Sequence, residues 1–273
     1  MMNHRDTVPV SAVIPCFRCA GTIRRAVTSI AQQTVKPAEV ILIDDASGDS
    51  TWPVLQKLAQ EYPGWIRVEQ LRDNQGAANA RNAGWALATQ PYVAFLDSDD
   101  AWHPRKIELQ YAYMAAHPEV ALSGHLHRVL NQPDKLPDWR VDQWQAQALS
   151  RATMLMSNHL VTPSVMLKRD VPQRFLSGRR HVDDHLLWLE LLCAGHQLVK
   201  LSAELVAVYK HLYGASGLSS QLWLMEKSEL DNYLRLYRGG SINFAEWLSL
   251  SSYSLLKYVR RLLIFGLYLK WKK

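Results

Sequence analysis

Short apolar runs alternate with segments of helical spacing along the first part of the chain. The predicted strands cover 10–14, 40–43, 65–71 and 92–96, and the predicted helices between them cover 22–33, 51–62 and 77–88. Continuous apolar runs are typical of strands that are buried on both faces of a parallel sheet. The alternation predicts a doubly wound α/β layer. Right-handed crossovers would bring the carboxyl ends of all four strands to one edge, where ligands bind in such folds.

The pattern is less regular in the second part of the chain, although strands and helices still follow one another. We predict helices at 104–116 and 182–194, strands at 119–129 and 161–168, one or two strands at 198–210, and a loop at 131–144. From about residue 217 the spacing is helical to the end. The expected organisation is an α/β domain of residues 1–215 followed by a C-terminal helical segment of residues 216–273.

The composition is that of a globular protein, because 48% of the 273 residues are hydrophobic and 21% are charged. Such proportions exclude a largely disordered chain. Three cysteines are a low, odd number, which argues against a secreted disulfide scaffold and for a reducing compartment. Cys16 and Cys19 form a C-x-x-C pair, which we interpret as two ordinary thiols. The first residues contain no apolar run, so we expect no signal peptide.

The positive charge is concentrated at the C-terminal end. Six lysines and arginines follow Glu246, the last acidic residue, and they account for the whole net charge of +6. A nucleic-acid-binding protein would carry a basic stripe across its folded domain, so we expect no nucleic acid as a partner. The tail mixes its cations with leucines and aromatic residues, which favours an anionic membrane surface as the partner.

The apolar stretches of the tail are short. The longest, 262–269, has eight residues, whereas a membrane-spanning helix needs about 20. We therefore expect a cytoplasmic protein that is peripheral on the inner face of the cytoplasmic membrane. Two alternatives for the tail are a helix that packs on the core and a contact between subunits of an oligomer.

Acidic residues follow two of the strands that end at the common edge. Asp44 and Asp45 come at the end of the second strand, and Asp97, Asp99 and Asp100 come directly after the fourth. Several carboxylates in one pocket require either raised pKa values or a cation. Oxygen ligands on a short turn suit Mg²⁺ or Mn²⁺ that arrives with a diphosphate. The sequence thus indicates a metal-assisted site at this edge.

Four motifs extend this picture: PCFR at 15–18, IDDASGDS at 43–50, NQGAANARNAG at 74–84 and FLDSDD at 95–100. In this order and spacing they resemble the inverting family 2 glycosyltransferases of GT-A fold, and the resemblance extends from about residue 8 to 215. It implies a Rossmann-like, mostly parallel sheet with helices on both faces, followed by C-terminal helices. It also implies a nucleotide-sugar donor.

The resemblance assigns several residues to the donor. Asp45 would hold the nucleobase, and Pro15 and Phe17 would border it, with the Phe17 ring available for stacking. Arg81 would lie toward the diphosphate or the base; its alternative is a salt bridge on an exposed helix face. The family often has an asparagine after the aromatic residue, where this chain has Arg18, and the sequence assigns Arg18 no role.

The resemblance also implies a D-x-D metal site. Asp97 would face the ribose and the metal, and Asp99 would bind the metal that bridges the diphosphate. His211, in a loop after the last strand, would bind the metal or the diphosphate; an ordinary loop histidine is the alternative. The expected ion is Mg²⁺ or Mn²⁺.

The segment HVDDHLLWLEL at 181–191 resembles the acidic pair of the family and the helix that follows it. Asp184 maps to the general base that deprotonates the acceptor hydroxyl, with Asp183 as the next candidate. The alternative is that both aspartates only cap a helix. His181 and His185 beside them are interpreted as surface histidines.

These residues together imply an inverting glycosyltransferase. It would move a sugar from a nucleotide-diphosphate donor, with UDP favoured, to a lipid-linked or cell-surface glycan such as lipopolysaccharide. A nucleotidyltransferase of related fold is one alternative, although the expected glycine-rich basic loop is absent after the first strand. A non-catalytic protein that binds nucleotide sugars is the other.

Overall fold

The computed structural model describes residues 7–130, 141, 143–179, 181–209 and 221–271, with side chains up to residue 264 in the last helix. Strands and helices alternate strictly in its first part. They are β1 (Thr7–Cys16), α1 (Ile23–Ala31), β2 (Lys36–Asp44), α2 (Thr51–Glu61), β3 (Ile66–Gln70), α3 (Ala77–Leu87) and β4 (Tyr92–Phe95). The seven elements occupy the positions that the hydrophobic pattern predicts.

The second part of the chain is more varied. Its elements are β5 (Ala101–Trp102), α4 (Lys106–Ala116), β6 (Val120–Leu130), β7 (Ala146–Ala148), α5 (Arg151–Met156), a 3₁₀ turn (Thr162–Ser164), β8 (Met166–Lys168), α6 (Asp183–Cys193), β9 (Gln197–Tyr209), α7 (Leu222–Arg238) and α8 (Phe244–Trp271). Three of them, β5, β7 and α5, are too short to produce a detectable hydrophobic period.

All the described strands belong to one sheet, in the order β3-β2-β1-β4-β8-β6-β9-β5, with β7 also paired to β9. The strands β1 to β4 are mutually parallel, as expected. Strand β8 is antiparallel to both β4 and β6, while β6 and β9 are parallel. Cys16 pairs with Asp44, and Asp44 with Gln70. This register confirms that the first three strands end together at one edge.

The sheet has a hydrophobic core on each face, which explains the continuous apolar runs. Along β2, Leu42 belongs to one core, and Ile41 and Ile43 to the other. Helices α1, α2 and α4 cover the first face, and α3, α5, α6 and α7 cover the second. The helices α3 and α6, which carry predicted site residues, therefore lie on the same face.

Two predicted elements differ from the structure. The strand predicted at 161–168 is a 3₁₀ turn followed by the three-residue β8, because Pro163 has no N–H to donate to a neighbouring strand. The helical stretch after 217 is divided into α7 and α8. The division falls at Gly239 and Gly240, where Gly240 has a φ of 72° that ends a helix readily.

Candidate active site

Helix α3 packs unusually close to the sheet at Gly84. A Cβ atom added at this position would lie 2.4 Å from Cγ1 of Val13. Any larger residue would push the helix away from β1. The close packing holds the first turns of α3 at the carboxyl edge of the sheet. This accounts for the last glycine of the NQGAANARNAG motif.

Asp45 fixes the turn that leads into α3. Its Oδ2 accepts hydrogen bonds from Asn74 Nδ2 at 2.9 Å and from the Gly76 N–H at 2.8 Å, and its Oδ1 accepts one from the Gln75 N–H at 2.8 Å. The carboxylate is only 2% exposed. Gly76 has a φ of 88°, which accounts for the first glycine of the motif. In this structure the contacts of Asp45 are thus with the turn 74–76.

Arg81 joins two acidic groups that are far apart in the sequence. Its Nη2 donates to Asp97 Oδ1 at 2.7 Å, and its Nη1 lies 3.5 Å from Asp183 Oδ2. Arg81 does form salt bridges, as the alternative predicts, but the residue is only 7% exposed, so they are buried and do not lie on an exposed helix face. Burial alone would lower the pKa of Arg81, but Asp97 and Asp183 raise it above its ordinary value. The guanidinium stays charged and links the end of β4 to the start of α6.

The D-x-D turn after β4 is held from two sides. The Arg25 guanidinium donates to the Asp99 carbonyl, and Asp100 Oδ1 accepts the N–H of Tyr209 at 3.0 Å. Arg25 also lies over the Tyr209 ring, 3.8 Å from its centroid. Asp100 is buried, whereas the Asp99 side chain is exposed at the carboxyl edge. The turn is therefore fixed by the Asp99 carbonyl and by the Asp100 side chain, and Asp99 is its exposed residue.

The acidic pair opens helix α6. Asp184 Oδ1 accepts the N–H of His185 at 2.7 Å, and its Oδ2 accepts the Thr162 hydroxyl at 3.2 Å. Burial raises the pKa of Asp183 to about 6, although Arg81 opposes this shift and Asp184 adds to it. The two neighbouring carboxylates thus have different surroundings: Asp183 faces Arg81, and Asp184 faces Thr162.

Strained backbone is concentrated at this edge of the sheet. In the part of the chain that the structure describes, the residues other than glycine with positive φ are Arg18 at 49°, Ala46 at 53° and Val182 at 56°. They lie after β1, after β2 and directly before α6. Residues in this conformation cluster at functional sites because the surrounding structure must hold them there. Arg18, which the sequence leaves without a role, donates from its N–H and from Nε to Ser47 and fixes the turn after β2.

The remaining predicted residues are distributed as follows. Pro15 is a buried residue of β1, whereas Phe17 is 44% exposed just beyond it. His211 lies outside the described residues. Within the described ranges, no group of three or more His, Cys, Asp or Glu side chains could hold a metal ion. A metal at Asp97 and Asp99 would therefore take its other ligands from a bound diphosphate, from water or from beyond the described residues.

His185 is not a surface histidine. It is 1% exposed, its Nε2 lies 2.7 Å from the Met154 carbonyl, and its Nδ1 lies 3.2 Å from Glu229 Oε2. The sequence interpretation was wrong because Glu229 is on α7, and no local pattern indicates that α7 packs against α6. Cys16 and Cys19 are free and buried thiols, as expected.

The surroundings of Asp183 predict a specific pH dependence. The folded state binds the Asp183 proton more tightly than the unfolded chain, so the ionised carboxyl lowers stability above about pH 6. We therefore compare the effect of Asp183→Asn on the free energy of unfolding at pH 8 and at pH 4. The effect should be more stabilising at pH 8, by about 1–3 kcal/mol, because the carboxyl of the wild-type protein is ionised there. Urea unfolding of the metal-free protein at both pH values measures this. Asp170→Asn, at an exposed position, is the control, and equal behaviour of the two variants would contradict the prediction.

Comparison with known proteins identifies the family. A family model described as "Glycosyl transferase family 2" matches residues 11–165, more than half of the chain. The Escherichia coli protein UDP-Glc:alpha-D-GlcNAc-diphosphoundecaprenol beta-1,3-glucosyltransferase WfaP is 39% identical over 107 residues. That match covers 38% of this chain and 41% of the relative, so the chain spans less than half of the relative's length.

Two solved structures share the fold. A chain comprising residues 1–349 of S. aureus TarS, in complex with UDP-GlcNAc, has a TM-score of 0.66 at 17% identity, over 90% of this chain and 71% of the TarS 1–349 chain. The mannosyltransferase PcManGT from Pyrobaculum calidifontis, in complex with GDP-Man and Mn²⁺, has a TM-score of 0.65 at 17% identity, over 96% of this chain and 80% of its own. The family match, the shared fold and the order of the motifs agree: the chain belongs to glycosyl transferase family 2 and has a GT-A fold.

Proposed function

We propose that this enzyme transfers a sugar, with inversion, from a UDP-type donor to a lipid-linked or cell-surface glycan. The observation that carries the proposal is the Arg81 bridge, because it joins the D-x-D turn, where the donor would lie, to the acidic pair that would activate the acceptor. Two printed names support the substrates. TarS is in complex with UDP-GlcNAc, and the E. coli relative is named for UDP-Glc and a diphosphoundecaprenol acceptor.

The donor would lie along the carboxyl edge of β1, β2 and β4. Phe17 offers an exposed aromatic face to the nucleobase, and Asp45 shapes the same region by fixing the turn 74–76. Asp97 and Asp99 present carboxylate oxygens on one short turn, which suits Mg²⁺ or Mn²⁺. A bound cation would neutralise the charge that develops on the departing diphosphate. The complex of PcManGT with Mn²⁺ agrees with this proposal.

Asp184 would act as the general base. An inverting displacement needs a base on the face of the sugar opposite the leaving group, where the acceptor hydroxyl attacks. Asp183 is directed to Arg81, so its carboxylate is engaged on the donor side. Asp184 is held by the Thr162 hydroxyl and the His185 N–H. These two contacts fix its carboxylate in one orientation, as a proton acceptor requires.

Metal dependence is the first test. We expect excess chelator to abolish transfer and added Mg²⁺ or Mn²⁺ to restore it. Asp99→Ala should weaken metal-dependent donor binding, measured by calorimetry with the nucleotide sugar and increasing Mn²⁺. Asp170→Ala should bind the donor normally, because Asp170 is an exposed residue outside the D-x-D turn. Full activity in excess chelator would rule out the assignment of Asp97 and Asp99 to a metal.

The general base is the second test. Asp184→Asn should retain donor binding and lower kcat by roughly 10²–10⁴, which is the usual contribution of a general base. The amide keeps the size of the side chain and can still accept a hydrogen bond, but it cannot take a proton. Initial rates at saturating donor and acceptor measure the loss. Transfer at the normal rate would show that the base lies elsewhere, and Asp183→Asn is then the next variant to measure.

We further propose that α8 lies on an anionic membrane surface at the cytoplasmic face. The helix has an inner side, where Trp247 and Leu250 pack on the core, and an outer side with exposed leucines, among them Leu256 at 69% and Leu263 at 64% exposure. No helix within the described ranges is both long and apolar enough to cross a bilayer. A helix with an exposed apolar side and nearby cations is typical of interfacial binding.

The structure changes the charge argument for this helix. Lys257 Nζ donates to the Met156 carbonyl at 2.7 Å, and Arg261 lies 3.8 Å from Glu226. These two cations are directed to the protein. Arg260, by contrast, is exposed. Fewer than six cations therefore contribute to lipid binding, at about 1 kcal/mol each, and the apolar side must supply the rest.

Vesicle binding tests the α8 proposal. We expect the protein to sediment with anionic vesicles, poorly with neutral ones, and to be released only in part by salt, because salt screens charge but not apolar burial. The double variant Leu256→Glu/Leu263→Glu should lose binding. Val129→Glu, at an apolar position on β6 that is also exposed, at 53%, should retain it. If the protein does not bind anionic vesicles but self-associates as its concentration rises, α8 is an oligomer contact instead.

A further inference from the structure

A buried side chain of α7, Asn232, contacts the segment that leads into the acidic pair. Asn232 is fully buried and uses both ends of its amide: Nδ2 donates to the Val182 carbonyl at 3.0 Å, and Oδ1 accepts from Arg179 Nη2 at 2.7 Å. Asn232 thus contacts both ends of the segment 179–182. Through the Val182 carbonyl it joins α7 to the residue directly before Asp183.

Val182 needs this support. It caps the N-terminus of α6 with a φ of 56° and a ψ of 28°, in the left-handed region. A β-branched residue is a true outlier there, and such a conformation persists only where the surroundings impose it. The next two residues are Asp183 and Asp184. A change in the backbone conformation of Val182 would therefore reorient the side chains of both aspartates.

Arg179 strengthens the same attachment. Its guanidinium also binds the Asp231 carboxylate and the Ser228 carbonyl on α7, and its Nε donates to the His181 carbonyl at 3.3 Å. Its side chain is only 11% exposed. On the other side of the acidic pair, His185 is held by Met154 and Glu229. Asp183 and Asp184 thus lie between two anchors, and each anchor includes a residue of α7.

We propose that Asn232 is a positioning residue for sugar transfer: it fixes Val182 in its left-handed conformation and thereby sets the orientation of Asp184. The inference rests on the proposed role of Asp184 as the base. It also makes α7 part of the catalytic unit, although α7 lies beyond the segment in which the sequence motifs occur. Asn232 touches neither the donor edge nor the acidic carboxylates in the contacts described, so its effect is exerted through the backbone of Val182.

Three variants of the full chain test the role of Asn232. Asn232→Ala should lower kcat by about 10- to 100-fold with the donor KM unchanged, because a small misplacement of a reacting group costs this much. Asn232→Asp keeps the acceptor for Arg179 but loses the donor to the Val182 carbonyl, so we expect a similar loss. In Asn232→Ala/Val182→Gly part of the lost kcat should return, because glycine adopts positive φ without the steric penalty.

A matched control separates positioning from general destabilisation. Ser11 is also fully buried and also makes two hydrogen bonds, to Glu39 and from the Gln90 N–H. It lies in the middle of β1, before the carboxyl end of the strand at Cys16. Ser11→Ala should lower the melting temperature without lowering kcat. The double variant Ser11→Ala/Val182→Gly should have no higher kcat than Ser11→Ala. Amide exchange of the peptide 181–188 should be faster in Asn232→Ala and unchanged in Ser11→Ala.

The outcomes distinguish this inference from the proposed function. Normal kcat in Asn232→Ala, or a loss that Val182→Gly leaves unchanged, would overturn the positioning role while the transferase activity stands. Wild-type protein that transfers sugar from no nucleotide donor would instead contradict the proposed function.

Discussion

The candidate active site depends on one buried cation. Arg81 lies between Asp97 and Asp183, and three separate elements meet there: α3, the end of β4 and the start of α6. A buried charge without partners is costly, and the removal of one partner of a buried pair typically destabilises a protein by about 3–5 kcal/mol. Arg81 and the two carboxylates therefore compensate one another's buried charge. The same interaction sets the distance between the D-x-D turn and the acidic pair at the start of α6.

The position of Arg81 depends in turn on how α3 is attached to the sheet. Gly84 allows the helix to approach Val13, and Asp45 fixes the turn before the helix through three hydrogen bonds. The NQGAANARNAG motif, which the sequence analysis associates with the donor, therefore also has structural roles: some of its residues form the turn before α3 or allow the helix to pack on the sheet. Phe17, in the proposed donor region, has a side chain that a ligand could reach, since it is 44% exposed.

The C-terminal helices serve two purposes. Helix α7 belongs to the core, because Tyr233 and Leu236 lie in the same hydrophobic cluster as Trp188 of α6. It also anchors the segment before the acidic pair through Asn232. Helix α8 packs on this core by one side only and leaves a row of leucines exposed. Its attachment to the body places the exposed side on the same unit as the candidate active site, as the proposed membrane-anchored acceptor would require.

The sequence by itself determined the α/β layer and the edge at which the chemistry is concentrated. Strands buried on both faces have continuous apolar runs, and parallel strands end together, so both results follow from local pattern and chain direction. The motifs likewise identified Asp97, Asp99 and Asp184 as candidates. Elements that depend on a few residues, such as β5, β7 and the 3₁₀ turn at 162–164, were missed because they are too short to show a period.

Only the tertiary structure decided how these candidates are held. Arg81 and Asp183 are far apart in the chain, and so are Asn232 and Val182. Their contacts arise from the packing of whole helices. The same is true of His185, whose burial depends on Glu229 of α7. A local pattern records which face of a helix is apolar, but it does not record which other helix covers that face. For this reason the sequence determined which residues are candidates for the chemistry, and the tertiary structure determined their partners, their burial and their charge.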